Sequence, residues 1–133
     1  MIDAKTRQLV RRRAGERCEY CRLPEDVSDV PFHVEHVVAK QHLADDAPTN
    51  LALACDRCNV HKGPNLSSID PQTGTAVALF HPRRDRWAAH FAFRGPAVVG
   101  LTPTGRATVR LLHMNTPRRV QVRRELLRRG ETL

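Results

Sequence analysis

From residue 32 to residue 63 the chain reads FHVEHVVAKQHLADDAPTNLALACDRCNVHKG, and most of its chemically capable side chains lie there. Glu35 and His36 are adjacent, Asn50 follows, and a Cys55-x2-Cys58 knuckle runs straight into Asn59. A second pair, Cys18 and Cys21, lies upstream, and these four are all the cysteines of the chain. Four thiolates in two Cys-x2-Cys pairs are the donor set of a closed tetrahedral zinc site. With no coordination position left open, such an ion is structural. Here it would fold the segment between the pairs, which carries Glu35, His36 and Asn50. An imidazole that titrates near neutrality suits a general base.

Those residues must be positioned by short elements. Residues 32–38 alternate and are rich in β-branched side chains, which predicts a strand, so Glu35 and His36 point to opposite faces. His33, two residues before Glu35, shares its face and is a candidate extra ligand. Residues 40–49 contain Asp45, Asp46 and Pro48 and read as loop. A short strand is expected over 51–54, then a helix over 56–62 stopped by Gly63-Pro64. Two residues along a helix turn about 200°, so His61 cannot share a metal with Asn59 unless the helix is distorted. Upstream, a helix over 3–15 is capped by Asp3 and ended by Gly15. Its Arg7, Arg11, Arg12 and Arg13, with Arg17, form either a solvated face or a phosphate grip. Downstream, residues 75–80, 87–93 and 97–101 suggest a small antiparallel meander. Helices follow over 103–114 and 116–129, each with proline at its first position.

The whole chain bounds these readings. At 133 residues it holds one domain or a small core with an appendage; 41% hydrophobic and 27% charged residues suit a folded protein. A formal charge of +8 and a pI near 10.3 point to a polyanionic partner. The charged N-terminal stretch has no apolar targeting core, and no apolar run is long enough for a bilayer, so no membrane partner is expected. A cytoplasmic setting is expected, where reduced cysteine pairs favour metal over disulfide.

The dyad Glu35-His36, Asn50 ahead of Leu51, and Cys55-Asp56-Arg57-Cys58-Asn59 leading to Lys62-Gly63 resemble the HNH endonuclease family. The resemblance implies an α+β fold: a ββα-metal core stapled by the four-cysteine zinc site, then the β meander and C-terminal helices. Residues 1–64 would be the nuclease core. Residues 65–133, with Pro82-Arg83-Arg84-Asp85-Arg86-Trp87 and Gly105-Arg106-Ala107-Thr108-Val109, resemble the C-terminal extension of a bacterial HNH subgroup. By the same resemblance His36 is the general base, Asn50 holds it, and Glu35 and Asn59 bind a catalytic Mg2+ or Mn2+. Glu35 stands where many members have Asp, and Gly63 stands where some have a second helical histidine. Arg57, Lys62 and His61 are the expected nucleic-acid contacts. The implied reaction is hydrolysis of a phosphodiester, with DNA the expected substrate. Phosphate contacts alone read no sequence, so a partner protein would supply specificity, and a homodimer would suit double-strand cutting. A non-catalytic zinc ribbon that binds nucleic acid is the alternative. His33-x-Glu35 before Cys55-x2-Cys58 also echoes a zinc deaminase. Ala54 replaces that signature's proline, however, and Cys18, Cys21, Asn50 and Asn59 would have no role.

Overall fold

The computed structural model describes residues 2–133. The first helix, α1 (Ala4–Arg13), starts where Asp3 accepts a hydrogen bond from the Thr6 amide at 2.8 Å. Its last turn carries Arg11, Arg12 and Arg13, cations placed at the negative end of the helix dipole. Only Val10 of this helix is buried, so its docking relies on polar contacts as well. Arg11 reaches Glu25 and the Phe32 carbonyl, and Arg13 donates to the Leu51 carbonyl at 2.8 Å. The basic run is thus partly spent inside the protein, while Arg7 and Arg12 are exposed.

The centre of the chain is a ββα unit. Strand β1 (His33–His36) pairs antiparallel with β2 (Leu51–Ala54), setting Glu35 opposite Ala52 and His36 opposite Leu51. All four residues of β2 are buried. Helix α2 (Asp56–Lys62) follows, its amino end capped by the Cys55 sulfur and its carboxyl end by Gly63 at φ +51°. The expected strand over 32–38 is therefore shorter than its apolar pattern, while β2 and α2 fall where the sequence places them.

Beyond the unit, the expected strands form antiparallel pairs, but as two separate hairpins instead of one continuous meander. Strand β3 (Ser67–Ile69) pairs with β4 (Ala76–Ala78) across residues 69–74, whose Asp, Pro, Thr and Gly read in the sequence as a turn between strands. Asp70 turns the chain between them. Its buried carboxylate takes two hydrogen bonds of 2.9 Å from Arg106, which holds it well below the usual carboxylate range. Residues 87–93 are not one strand: Trp87–His90 make a single helical turn, α3, and only then does β5 (Phe91–Arg94) pair with β6 (Ala97–Gly100). Packing explains the break. The Trp87 indole donates to the Tyr20 carbonyl at 2.8 Å and packs on Phe91 and Phe93, with ring centroids 5.1 Å away in both cases. Helix α4 (Pro103–Leu111) ends earlier than its apolar pattern suggests, and α5 (Pro117–Arg128) matches expectation within a residue. Thr102 and Thr116 cap them through their side chains.

One apolar cluster runs through both halves of the chain. Tyr20, Leu51 and Leu53 from the first meet Phe80, Phe91, Val98, Leu112 and Leu126 from the second. Gly105 sets the closest approach within the second half: a β-carbon there would collide with the His90 carbonyl and press on Gly100. Alanine is ordinarily about 1 kcal/mol better than glycine inside a helix. Here the clash is with backbone that cannot step aside, so Gly105→Ala should instead destabilise by about 1–3 kcal/mol. A urea titration reading the midpoint at unchanged slope checks this.

Candidate metal centre and active site

The two knuckles bring four sulfurs together. The Cys18, Cys21, Cys55 and Cys58 Sγ atoms all lie within 4.8 Å of one another, with Cys21 and Cys55 at 3.7 Å. Sulfurs at zinc–thiolate bond length on a tetrahedron would be about 3.8 Å apart, so the cage has the right size. Each knuckle repeats one local device: the Cys21 amide donates to Cys18 Sγ, and the Cys58 amide to Cys55 Sγ, both at 3.4 Å. Burial pushes the Cys18 and Cys58 thiols well up, while hydrogen bonds from neighbouring sulfurs hold Cys21 and Cys55 down, so ionising all four together requires a cation. The donor set fits a structural metal such as zinc. From α5, Arg119 donates to Cys58 Sγ at 3.5 Å. Burial opposes its charge, but the four sulfurs outweigh that and raise its pKa.

A second site opens at the other end of the ββα unit. Glu35, His36 and Asn59 line one shallow cleft of about 330 Å3, together with Ala39, Lys40 and Gly63. Glu35 is almost fully enclosed, with the Tyr20 hydroxyl as its polar neighbour on the buried side. Burial pushes its carboxyl above the usual range, opposed by the Lys62 ammonium and the Tyr20 hydroxyl. A carboxylate and a carboxamide lining one cleft are oxygen donors suited to a hard divalent cation. The residues therefore fit the catalytic ion that the family resemblance implies.

His36 has a partner that sequence reasoning missed. Its Nε2 lies 2.6 Å from Asp46 Oδ1, and that contact holds the Asp46 carboxyl down to about 2. Asp46 stands in a loop with no periodicity, and only the Asp45-Asp46 doublet so close after His36 could have drawn attention to it. Asn50 sits behind this loop, buried. Its side chain accepts from the Val38 amide at 2.9 Å and donates to the Val38 and Asp45 carbonyls at 3.1 and 2.9 Å. It thereby ties the end of β1 to the segment bearing Asp46.

Other expected contacts fall elsewhere. Lys62 is not offered to a phosphate: it is only 2% exposed, and its Nζ donates to the Val37 carbonyl at 2.8 Å. Its position at the end of α2 turns it under the hairpin, where its charge faces Glu35. His61 stacks on His113, ring centroids 4.3 Å apart, and lies 3.5 Å from Arg57; it does not line the cleft. His33 pairs with Asp56 at 3.2 Å, outside the cleft as well, because the first position of β1 faces the start of α2. Arg57 is exposed.

Residues 18–65 match the family model of the HNH endonucleases. The span that matches this domain model contains both the four-cysteine cage and the cleft. Neither the curated proteins nor the solved structures yield a match to the chain. The domain supports a nuclease or nucleic-acid-binding function. Among the described residues no helix is long and apolar enough to cross a membrane.

Because Asn50 alone satisfies three backbone groups in this loop, Asn50→Ala should cost about 2–4 kcal/mol of stability. Equilibrium unfolding in urea is the check, and Asn50→Asp should not recover the loss, since it cannot donate to the two carbonyls.

Proposed function

We propose that the protein is a metal-dependent endonuclease that hydrolyses phosphodiester bonds, with DNA as its substrate. One observation carries this reading: the imidazole of His36, the carboxylate of Glu35 and the carboxamide of Asn59 line one cleft inside residues 18–65. In this reading Glu35 and Asn59 hold Mg2+ or Mn2+, which when bound supplies charge neutralisation at the phosphate and at the departing oxygen. His36 takes the proton from the attacking water. Asp46, ionised at neutral pH, accepts the Nε2–H hydrogen bond and so leaves the Nδ1 lone pair as the basic site. Lys62 acts from beneath: it anchors the turn after β1 through Val37 and favours the ionised form of Glu35. Arg57 and the exposed arginines of α1 are the candidate backbone contacts, and the +8 charge favours any nucleic acid over a neutral ligand.

Residues 1–64 perform the chemistry in this proposal and residues 65–133 brace them, within a cytoplasmic protein. A shallow cleft with one base cuts one strand at a time. Double-strand breaks would then need two copies of the chain, and sequence choice would need a partner protein.

Relaxation of supercoiled plasmid with Mg2+ or Mn2+ tests the reading. Wild type should nick, and His36→Ala should lose roughly 10²- to 10⁴-fold in rate while still binding DNA. Asp46→Asn should lower kcat by at least about tenfold with KM little changed, as expected when a base loses its orienting partner. Cleavage that survives His36→Ala would remove His36 as the base. Binding by wild type with no cleavage would instead favour the non-catalytic zinc-ribbon module.

A further inference from the structure

Helix α5 docks on the protein with an unusual face. Its buried residues are Arg119, Arg123 and Leu126, so two of the three are arginines. Arg123 is fully enclosed and Arg119 nearly so. Among the described residues no carboxylate pairs with either one, although Arg11, Arg83, Arg106, Arg118, Arg128 and Arg129 all have acidic partners. Their hydrogen bonds are also incomplete. Arg119 reaches Cys58 Sγ and the Leu112 carbonyl, and Arg123 reaches the Cys21 and Pro96 carbonyls. Arg119 Nε and Nη2 and Arg123 Nε have no partner. A buried guanidinium without a counter-charge is strongly unfavourable. The four sulfurs are the negative groups in reach.

Four thiolates around a divalent ion carry two net negative charges, and Arg119 and Arg123 carry two positive ones. We infer that these two arginines are the outer half of the metal site: they balance a divalent ion on four ionised sulfurs, and that ion in turn docks the C-terminal helix. The two lie one helical turn apart, so they face the cage together. The inference rests on the structural-metal reading of the cage and is independent of the nuclease reading. It gives the C-terminal extension a task, closing the metal centre that folds the HNH domain.

Zinc transfer from the full-length chain to a chromogenic chelator tests it, together with hydrogen exchange of α4 and α5 in zinc-loaded and zinc-stripped protein. Arg119→Gln and Arg119→Met should each release zinc about 10- to 100-fold faster than wild type, whereas Arg119→Lys should stay close to it. Methionine keeps the volume without the charge, so a packing role alone would leave its release rate unchanged, and that result would overturn the inference. If the uncharged variants do not fold, Arg119→Lys and Arg123→Lys carry the test. Both must hold zinc within about threefold of wild type, and faster release from both would refute charge balance. In wild type, zinc removal should expose α5 amides more than those of α4. Equal loss in both, or no change in α5, would refute docking through the ion. A chain that cuts no DNA leaves every one of these outcomes intact.

Discussion

Everything in this protein hangs on four sulfurs held within 4.8 Å in a buried cage. Thiols have little reason to gather there by themselves, since burial disfavours their ionised form and a thiol packs no better than a small apolar group. A cation reverses that balance. By joining the knuckle at Cys18 and Cys21 to the one at Cys55 and Cys58, it closes a long loop whose entropy a core this small could not readily offset. The consequence reaches the candidate active site directly. Cys55 caps α2, Asn59 lies one turn further along that helix, and β2, which ends at Ala54 just before Cys55, fixes β1 and with it Glu35 and His36.

Around that constraint the molecule buries charge in matched sets. Lys62 lies under the hairpin with its charge toward Glu35, Arg83 holds Glu19, and Arg106 holds Asp70. Each pair marks a place where an electrostatic partner fixes the packing, most completely at Lys62, the one of these cations that is fully buried. With aromatics at 5% of the chain, the apolar cluster is modest, and these pairs give it directionality that apolar contact lacks. Glu19 illustrates the economy: one carboxylate meets Arg83 and also takes the Leu53 amide, tying the first knuckle to β2 and to the C-terminal half. The extension is therefore integral to the core. The rings of Trp87, Phe80 and Phe91 pack against Tyr20 or one another across the same seam.

The cleft and the cage make different demands on the chain. The cage is closed, buried and satisfied by four identical donors. The cleft is open and sets unlike donors, a carboxylate, an imidazole and a carboxamide, along one shallow surface. Asp46 and Asn50 serve the cleft without lining it, one by contacting His36 and the other by shaping the loop that carries Asp46.

By itself the sequence determined whatever is encoded locally. Two Cys-x2-Cys spacings mark the cage, Asp3, Thr102 and Thr116 start their helices, Gly63 ends α2, and the apolar run of Leu51–Ala54 marks a buried strand. Each signal works because its physical cause lies within a few residues. Only the tertiary structure decided which charges face one another. Lys62 reads as an exposed helix cation until the hairpin folds over it; Asp46 reads as loop until His36 arrives; nothing local in the sequence singles out Arg119, which the fold sets against the Cys58 sulfur. Residues 69–74 read as a turn between strands, but the bounds of Ser67–Ile69 and the helical turn at Trp87 came only with the fold. Short polar strands and single turns carry too little local preference to declare themselves, and long-range packing sets them.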